Sequence, residues 1–323
     1  MKNKSWLIHF FSLGLGFFLL FLLIKKIGTN DFWQILKHTS LLWLLIAIAT
    51  YCSSWFFRTL RLQKFTTFNQ GQISFFNLFK LRISGFALNS LLPGKLGDAA
   101  TIGYLKLHGL KIGPSAAIVF QVRVLDLLSF ILLSLPALLL FKDKSNQPLN
   151  QLLLVSAIVI LIIFAITLTD KHTGFGRWFR LFGKRFSNLK LQKVFDKLAD
   201  LYESYTAMVA HKRFLIISIL LSLLIWFIEG LTAFVVAKAI GSTISLPLLI
   251  VALSLANISK IFPITPGGIG IYETVFASSL SFFGIPFDQA LMVGIFDHNL
   301  KKLFNIVIGI PFTSTTSKKF LKL

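Results

Sequence analysis

The sequence predicts an all-α integral membrane protein of about six transmembrane helices plus two re-entrant hairpins arranged as an inverted repeat. Three observations predict it. Of the 323 residues, 55% are hydrophobic and 14% charged, where a soluble domain carries roughly 25% charged residues. Apolar residues, 35 phenylalanines among them, run in unbroken stretches and lack the strand alternation of an outer-membrane barrel. Two of those stretches end in closely similar proline-glycine clusters, Pro93-Gly94-Lys95-Leu96-Gly97 and Pro266-Gly267-Gly268-Ile269-Gly270.

Each element follows from the length of about 20 apolar residues that a helix needs to cross a bilayer core. Residues 6–24 meet that length, preceded by Lys2 and Lys4. Lys25-Lys26-Ile27-Gly28-Thr29-Asn30 follows where a cleavage site would stand, so this segment reads as an uncleaved anchor. Residues 41–57, 114–141, 152–168, 214–236 and 288–312 supply the other spans. The stretches 75–92 and 246–262 are the odd ones, and both are read as dipping into the membrane and returning. The whole chain, 1–323, reads as one polytopic domain with repeat halves at about 41–141 and 214–312.

Charge sets the orientation. The chain has 33 Lys+Arg against 12 Asp+Glu, a formal net charge of +21. In a soluble protein this excess would suggest nucleic acid, but between apolar spans it reads as topology and as attraction to anionic lipid. With the N-terminus in the cytoplasm, segments 1–5, 58–82, 170–213 and 313–323 hold 20 Lys+Arg and the external segments hold 6. Both termini are therefore expected on the cytoplasmic side of the cell membrane. Segment 170–213 carries Leu191, Val194, Phe195, Leu198, Leu201, Tyr202 and Tyr205 at spacings of three and four. That spacing predicts an amphipathic helix in the cytoplasmic interface, or a solvated linker helix.

In the internal echo, Asp98 follows the first cluster and Glu273 lies about one turn past the second. By the charge assignment the first unit enters from the cytoplasm and the second from outside, the arrangement of inverted-repeat transporters. Proline and glycine end a helix and leave backbone groups unpaired, which membrane depth tolerates only where protein or a wet cavity receives them. The helices restarting at Gly97 and Gly270 are expected to offer N–H groups to an anionic headgroup, or to Asp98 and Glu273 themselves. The simpler alternative makes both units ordinary helical hairpins with up to ten crossings. Lys80, Arg82 and Asn89 in the first arm argue against lipid exposure along its length.

Ionisable residues within spans are costly and mark functional sites or internal pairs. Arg123 and Asp126 are three apart and either pair with each other or meet substrate. Glu229 has no local partner and needs a distant cation. Lys260 suits a phosphate, or snorkels to the surface. Asp297, Lys301 and Lys302 span about one turn and pair internally, and His298 reads as a hydrogen-bonded core histidine, since no second His stands at ligand spacing. Phe130 reads as lipid-facing. The lone Cys52 excludes a disulfide framework and any multi-cysteine metal site. No cofactor or metal is expected, and no Walker, H-E-x-x-H, G-x-S-x-G or G-x-G-x-x-G pattern occurs.

The strings LLPGKLGD, VRVLDLLSF and above all PITPGGIGIYE resemble the transmembrane region of lysylphosphatidylglycerol synthases, the flippase-like integral membrane family. The resemblance runs from about Leu7 to Phe312. It implies movement of an aminoacylated or glycosylated lipid between leaflets, without the cytosolic transferase domain of full-length members. It maps Asp98, Glu273, Arg123 and Asp126 onto the family's motif residues. Thr101 and His298 stand where members usually have arginine, and Val122 where an acid is common.

The resulting expectation is a lipid translocator without its own ATPase. The alternative is a lipid-modifying enzyme, a lipid-linked transferase, or an accessory subunit of an envelope glycolipid pathway. The substrate-binding candidates are Asp98, Arg123, Asp126, Glu229, Lys260, Glu273 and His298, with Pro93, Gly94, Gly97, Pro266, Gly267, Gly268 and Gly270 forming the loop motifs. Lys95, Arg123 or Lys260 would neutralise a lipid phosphate, Asp98, Glu273 and Glu229 would suit a cationic headgroup, and an aminoacylated lipid would use both sets. The partners expected are membrane lipid as substrate, anionic lipid at the cytoplasmic face and, as an option, a second copy of the chain, with no nucleic acid.

Overall fold

A computed structural model describes residues 14, 18, 21–22, 25, 29–92, 96–140, 158, 174–186, 188–260 and 265–320. The described elements are helices: α1 Thr29–His38, α2 Leu41–Phe68, α3 Phe75–Leu91, α4 Leu96–Leu107, α5 Ile112–Leu140, α6 Gly174–Gly183, α7 Leu189–Ala210, α8 Lys212–Ala239, α9 Leu246–Ser259, α10 Ile271–Ser281 and α11 Phe287–Phe320, with a 3₁₀ turn at Pro266–Gly268. Helices α2, α5 and α8 contain stretches long and apolar enough to cross a membrane. The expected spans at 6–24 and 152–168, the loop 142–150 and the motif residues Pro93, Gly94 and Lys95 lie wholly or almost wholly outside the described residues.

The apolar run of α2 ends at Phe57, yet the helix continues eleven residues further, to Phe68. Its buried stripe of Ala47, Tyr51, Ser54, Trp55, Arg58, Arg61, Leu62 and Phe65 keeps helical spacing straight through the change in polarity. Leu41, Leu42, Leu45 and Phe56 on other faces stay exposed. Within the expected cytoplasmic segment 58–82, residues 58–68 thus continue α2 and residues 75–82 begin α3. Arg58, Arg61 and Arg82 are buried in the bundle and do not count towards a cytoplasmic charge excess.

The two odd stretches do form short helices. At 1.5 Å per residue, α3 (17 residues) and α4 (12 residues) reach about 25 and 18 Å, and α9 (14 residues) and α10 (11 residues) about 21 and 16 Å. All four fall short of a bilayer core of about 30 Å. In each half a packed short pair precedes a long helix, α3–α4 before α5 and α9–α10 before α11. Tyr104, Leu105, Leu125 and Tyr205 belong to one apolar core, and Leu249, Phe276, Leu280 and Leu291 to another.

Association between helices in lipid gains little from the hydrophobic effect, so close contact must supply it. Glycines provide that contact. Gly97 on α4 meets the Gly85 carbonyl on α3, and Gly309 on α11 meets Ile83 of α3. Gly230 on α8 lies against Ile250 of α9.

Helix α6, not expected from the sequence, forms a hairpin with α7. Arg180 donates to Glu203 at 2.7 Å and to Asp200 at 2.9 Å. The apolar face expected along α7 divides in two. Tyr205, Met208 and Val209 are buried in the core shared with α5, whereas Leu191, Val194 and Leu198 stay exposed, as do Phe175, Trp178 and Leu181 of α6.

The glycine contacts give a direct test. A methyl group at Gly97 would overlap the Gly85 carbonyl oxygen, whereas one at Gly174 meets nothing within 4 Å. Gly97→Ala is expected to lose about 1–3 kcal/mol, the usual scale of overpacking, and Gly174→Ala little. Thermal unfolding in detergent measures both.

Candidate functional site

The site grows from charged side chains on helices that converge at the ends of the short pairs. Asp98 lies in the first turn of α4. Both its oxygens accept from Arg123 of α5, at 2.7 and 2.8 Å, and Asn89 Nδ2 donates to it at 3.2 Å. Arg123 therefore pairs with Asp98, and the i,i+3 pairing with Asp126 is not made. Asp126 instead accepts from Arg61 of α2 at 2.8 Å and from the Trp226 indole of α8 at 2.9 Å.

Glu229 has the distant cations its isolation demanded. One oxygen accepts from Arg58 of α2 at 2.6 Å, and the other lies 3.0 Å from Lys301 of α11. Lys301 also lies 2.7 Å from Asp297, which accepts from Tyr272 at 3.1 Å. A chain of alternating charge thus ties α2, α8 and α11 together. Of the trio expected to pair within α11, Asp297 and Lys301 do so. Lys302 does not, and its ammonium donates to the Pro266 carbonyl at 3.3 Å.

The second motif forms the 3₁₀ turn Pro266–Gly268, with Gly267, Gly268 and Gly270 at φ of 59°, 74° and 83°. Only glycine adopts that run of left-handed backbone cheaply. Glu273 caps α10, accepting from the Gly270 N–H at 2.7 Å, and its other oxygen lies 2.6 Å from Nδ1 of His298. A carboxylate can only accept, so Nδ1 carries the proton. The His298 ring also stacks on Tyr272 with centroids 4.1 Å apart, which places His298 as the hydrogen-bonded histidine expected. In the first motif the Gly97 N–H donates to Asn89 Oδ1 at 2.8 Å. Of the two expectations for these N–H groups, pairing with the neighbouring acid is met at Gly270 by Glu273, whereas at Gly97 the partner is Asn89 and not Asp98.

These elements enclose a cavity of about 320 Å³. Its lining draws Arg58, Asn89, Arg123 and Asp126 from the first half and Glu229, Asn257, Lys260, Gly267, Gly268, His298, Lys301 and Lys302 from the second. Asp98 and Glu273 stand behind Arg123 and His298 as their supports. Phe130, expected to face lipid, is buried, packs on Trp226 at 4.4 Å and lines the cavity. The end of α3 reaches the second motif, with the Ser90 carbonyl beside Gly267.

Sequence reasoning missed Arg58, Arg61 and Asn305. The signal for the two arginines was the helical spacing of Tyr51 and Trp55, which Arg58 and Arg61 continue past the end of the apolar run. Asn305 accepts from Tyr51 at 2.9 Å and had no such signal.

The family model for the lysylphosphatidylglycerol synthase transmembrane region matches residues 9–309. The chain belongs to this family. It is similar to UPF0104 membrane proteins from Methanothermobacter thermautotrophicus (24% identity over 301 residues, 88% of this chain and 87% of the relative) and Methanocaldococcus jannaschii (31% over 224 residues, 68% and 90%). It is also similar to glycosyltransferase AglD of Haloferax volcanii, 37% identical over 99 residues, which cover 28% of this chain and 15% of that protein. With its apolar helices, the membership makes the chain a multi-pass membrane protein of a family with a lipid-related role.

Glu229 sits at the centre of the ion-pair chain, so Glu229→Gln is expected to destabilise by about 3–5 kcal/mol, the scale for leaving a buried partner uncompensated. Arg58→Met combined with Glu229→Met is expected to recover part of that loss. The order of the three unfolding temperatures in detergent checks it.

Proposed function

We propose that the chain is a lipid translocator of the cell membrane, with both termini cytoplasmic. In this reading six spans and two oppositely entering short pairs build two inverted halves, 41–141 and 214–312, around one headgroup path. The observation that carries it is the cavity walled by both halves, with charged and amide side chains inside a bundle whose outer faces are apolar. Polar groups at such depth are expensive unless they meet a polar ligand or each other. A headgroup passing between leaflets needs a lining of this kind, while its acyl tails stay in lipid. The sequence has no ATP-binding motif, so exchange would run down the lipid's own gradient or with an ion.

The similarity to a glycosyltransferase favours a second reading, a lipid-modifying enzyme or its accessory subunit. General acid–base chemistry would want carboxylates free to exchange protons with substrate. Both acids that line the cavity, Asp126 and Glu229, are bonded to arginine, which favours translocation.

Reconstitution separates the two. In liposomes carrying a fluorescent phospholipid, dithionite quenching is expected to show exchange above that of protein-free liposomes. Glu273→Gln keeps the size of the α10 cap but removes the charge that supports His298, and is expected to fold and to slow exchange severalfold. Wild-type exchange no faster than in protein-free liposomes would overturn the translocator reading.

A further inference from the structure

The cavity does not treat charges of the two signs alike. The acids that line it, Asp126 and Glu229, and those beside it are already engaged inside the protein. Asp98 is bonded to Arg123 and Asp126 to Arg61. Glu229 is shared by Arg58 and Lys301, which also holds Asp297, and Glu273 holds His298 and the Gly270 N–H. Two cations are left over. Among the described residues, neither Lys260 nor Lys302 has a carboxylate oxygen within 4 Å.

Both lysines converge on one turn. A methyl group added at Gly267 would lie 2.6 Å from Lys302 Nζ, and one added at Gly268 would lie 2.7 Å from Lys260 Cγ. The two glycines thus leave room for one lysine each, on a backbone that side chains other than glycine resist. Lys260 Nζ sits 4.5 Å from the centroid of the Tyr272 ring, and Lys302 is only 7% exposed. Two lysines brought to adjacent residues of one turn, neither with a carboxylate in contact, favour an anion that can meet both.

We infer that Lys260 and Lys302 clamp the phosphate of a lipid headgroup against the Pro266–Gly268 turn, and that the rest of that headgroup is uncharged. Lysine suits this task as a compact point charge. The Oδ1 of Asn257, which also lines the cavity and whose Nδ2 donates to the Leu253 carbonyl, supplies an acceptor for a hydroxyl. No carboxylate is left free for an ammonium, so an aminoacylated headgroup would bring its own cation to an already cationic site. This rests on the proposed headgroup path and narrows its substrate to phospholipids with net negative headgroups, the glycosylated and not the aminoacylated branch of the family expectation.

Binding to the full chain in detergent micelles tests it without leaflets, and so independently of translocation. The probes are short-chain phosphatidylglycerol, its lysylated form and inorganic phosphate, titrated by calorimetry. Phosphatidylglycerol is expected to bind at least about tenfold more tightly than lysylphosphatidylglycerol, a gap of about 1.4 kcal/mol. Lys260→Gln combined with Lys302→Gln is expected to lose that binding while unfolding no earlier than wild type without ligand, because neither lysine makes an ion pair that the change would break. Should the double variant not fold, each single variant is expected to weaken binding on its own. Equal affinity for the lysylated lipid, or binding unchanged in the lysine variants, would overturn the clamp. Inorganic phosphate binding as tightly as the lipid would overturn the lipid assignment. Clamped binding without exchange in liposomes would leave the clamp and remove the translocator, and exchange without this selectivity would do the reverse.

Discussion

An ionised side chain taken out of water must be matched by an opposite charge or by polar atoms, at a cost of several kcal/mol if it is not. Five acids inside this helical bundle obey that constraint, and much of the arrangement follows from it. Arg58 and Arg61, one turn apart on the same helix, reach Glu229 and Asp126 on two others. Lys301 then joins Glu229 to Asp297 on a third. In lipid, where apolar helices gain little from touching each other, such links fix which helices meet and at what height. The pairs act as register marks as much as glue.

Close backbone contact is the second device, and it makes the site possible. Gly85 against Gly97 lets the first short pair close tightly enough for Asn89 to reach both the Gly97 N–H and Asp98. The left-handed glycines of the second motif turn the chain in three residues and leave room for two lysine stems. The carboxylates that follow the two motifs, Asp98 and Glu273, share a logic. Each sits in the first turn of a restarting helix and braces a basic side chain of the following long helix, Arg123 or His298. Similar motifs therefore give similar supports, one ending in a guanidinium and the other in an imidazole.

Family membership and cavity chemistry bear on different questions. Membership gives the architecture and its association with lipid. The sign of the free charge bears on what such a cavity would accept. Acids that are buried and shared between cations are poor receptors for an ammonium, because binding one would mean breaking a pair already made. Lysines without acids carry no such penalty towards a phosphate. A chain can therefore keep the family frame and still leave unpaired charge of one sign in the lining.

The sequence by itself determined the all-helical membrane class, the short pairs ending in glycine clusters and the set of charged residues worth following. Those are local properties, carried by apolar run length, by proline and glycine, and by charge within apolar context. It also placed Glu229 correctly as an acid in need of a distant partner. It misjudged Arg58 and Arg61, because run length ends where polarity changes while a helix ends only where its hydrogen bonds do. It misjudged Phe130 for a related reason, since one helix face looks the same whether it meets lipid or a cavity wall. Which acid takes which base, Arg123 to Asp98 and Arg61 to Asp126, was decided only by tertiary structure. Pairing depends on distances between residues as far apart as 171 positions, as with Arg58 and Glu229, and no spacing along a single helix encodes them. The surplus left at Lys260 and Lys302 is what remains among the basic residues lining the cavity once the other pairs have been made.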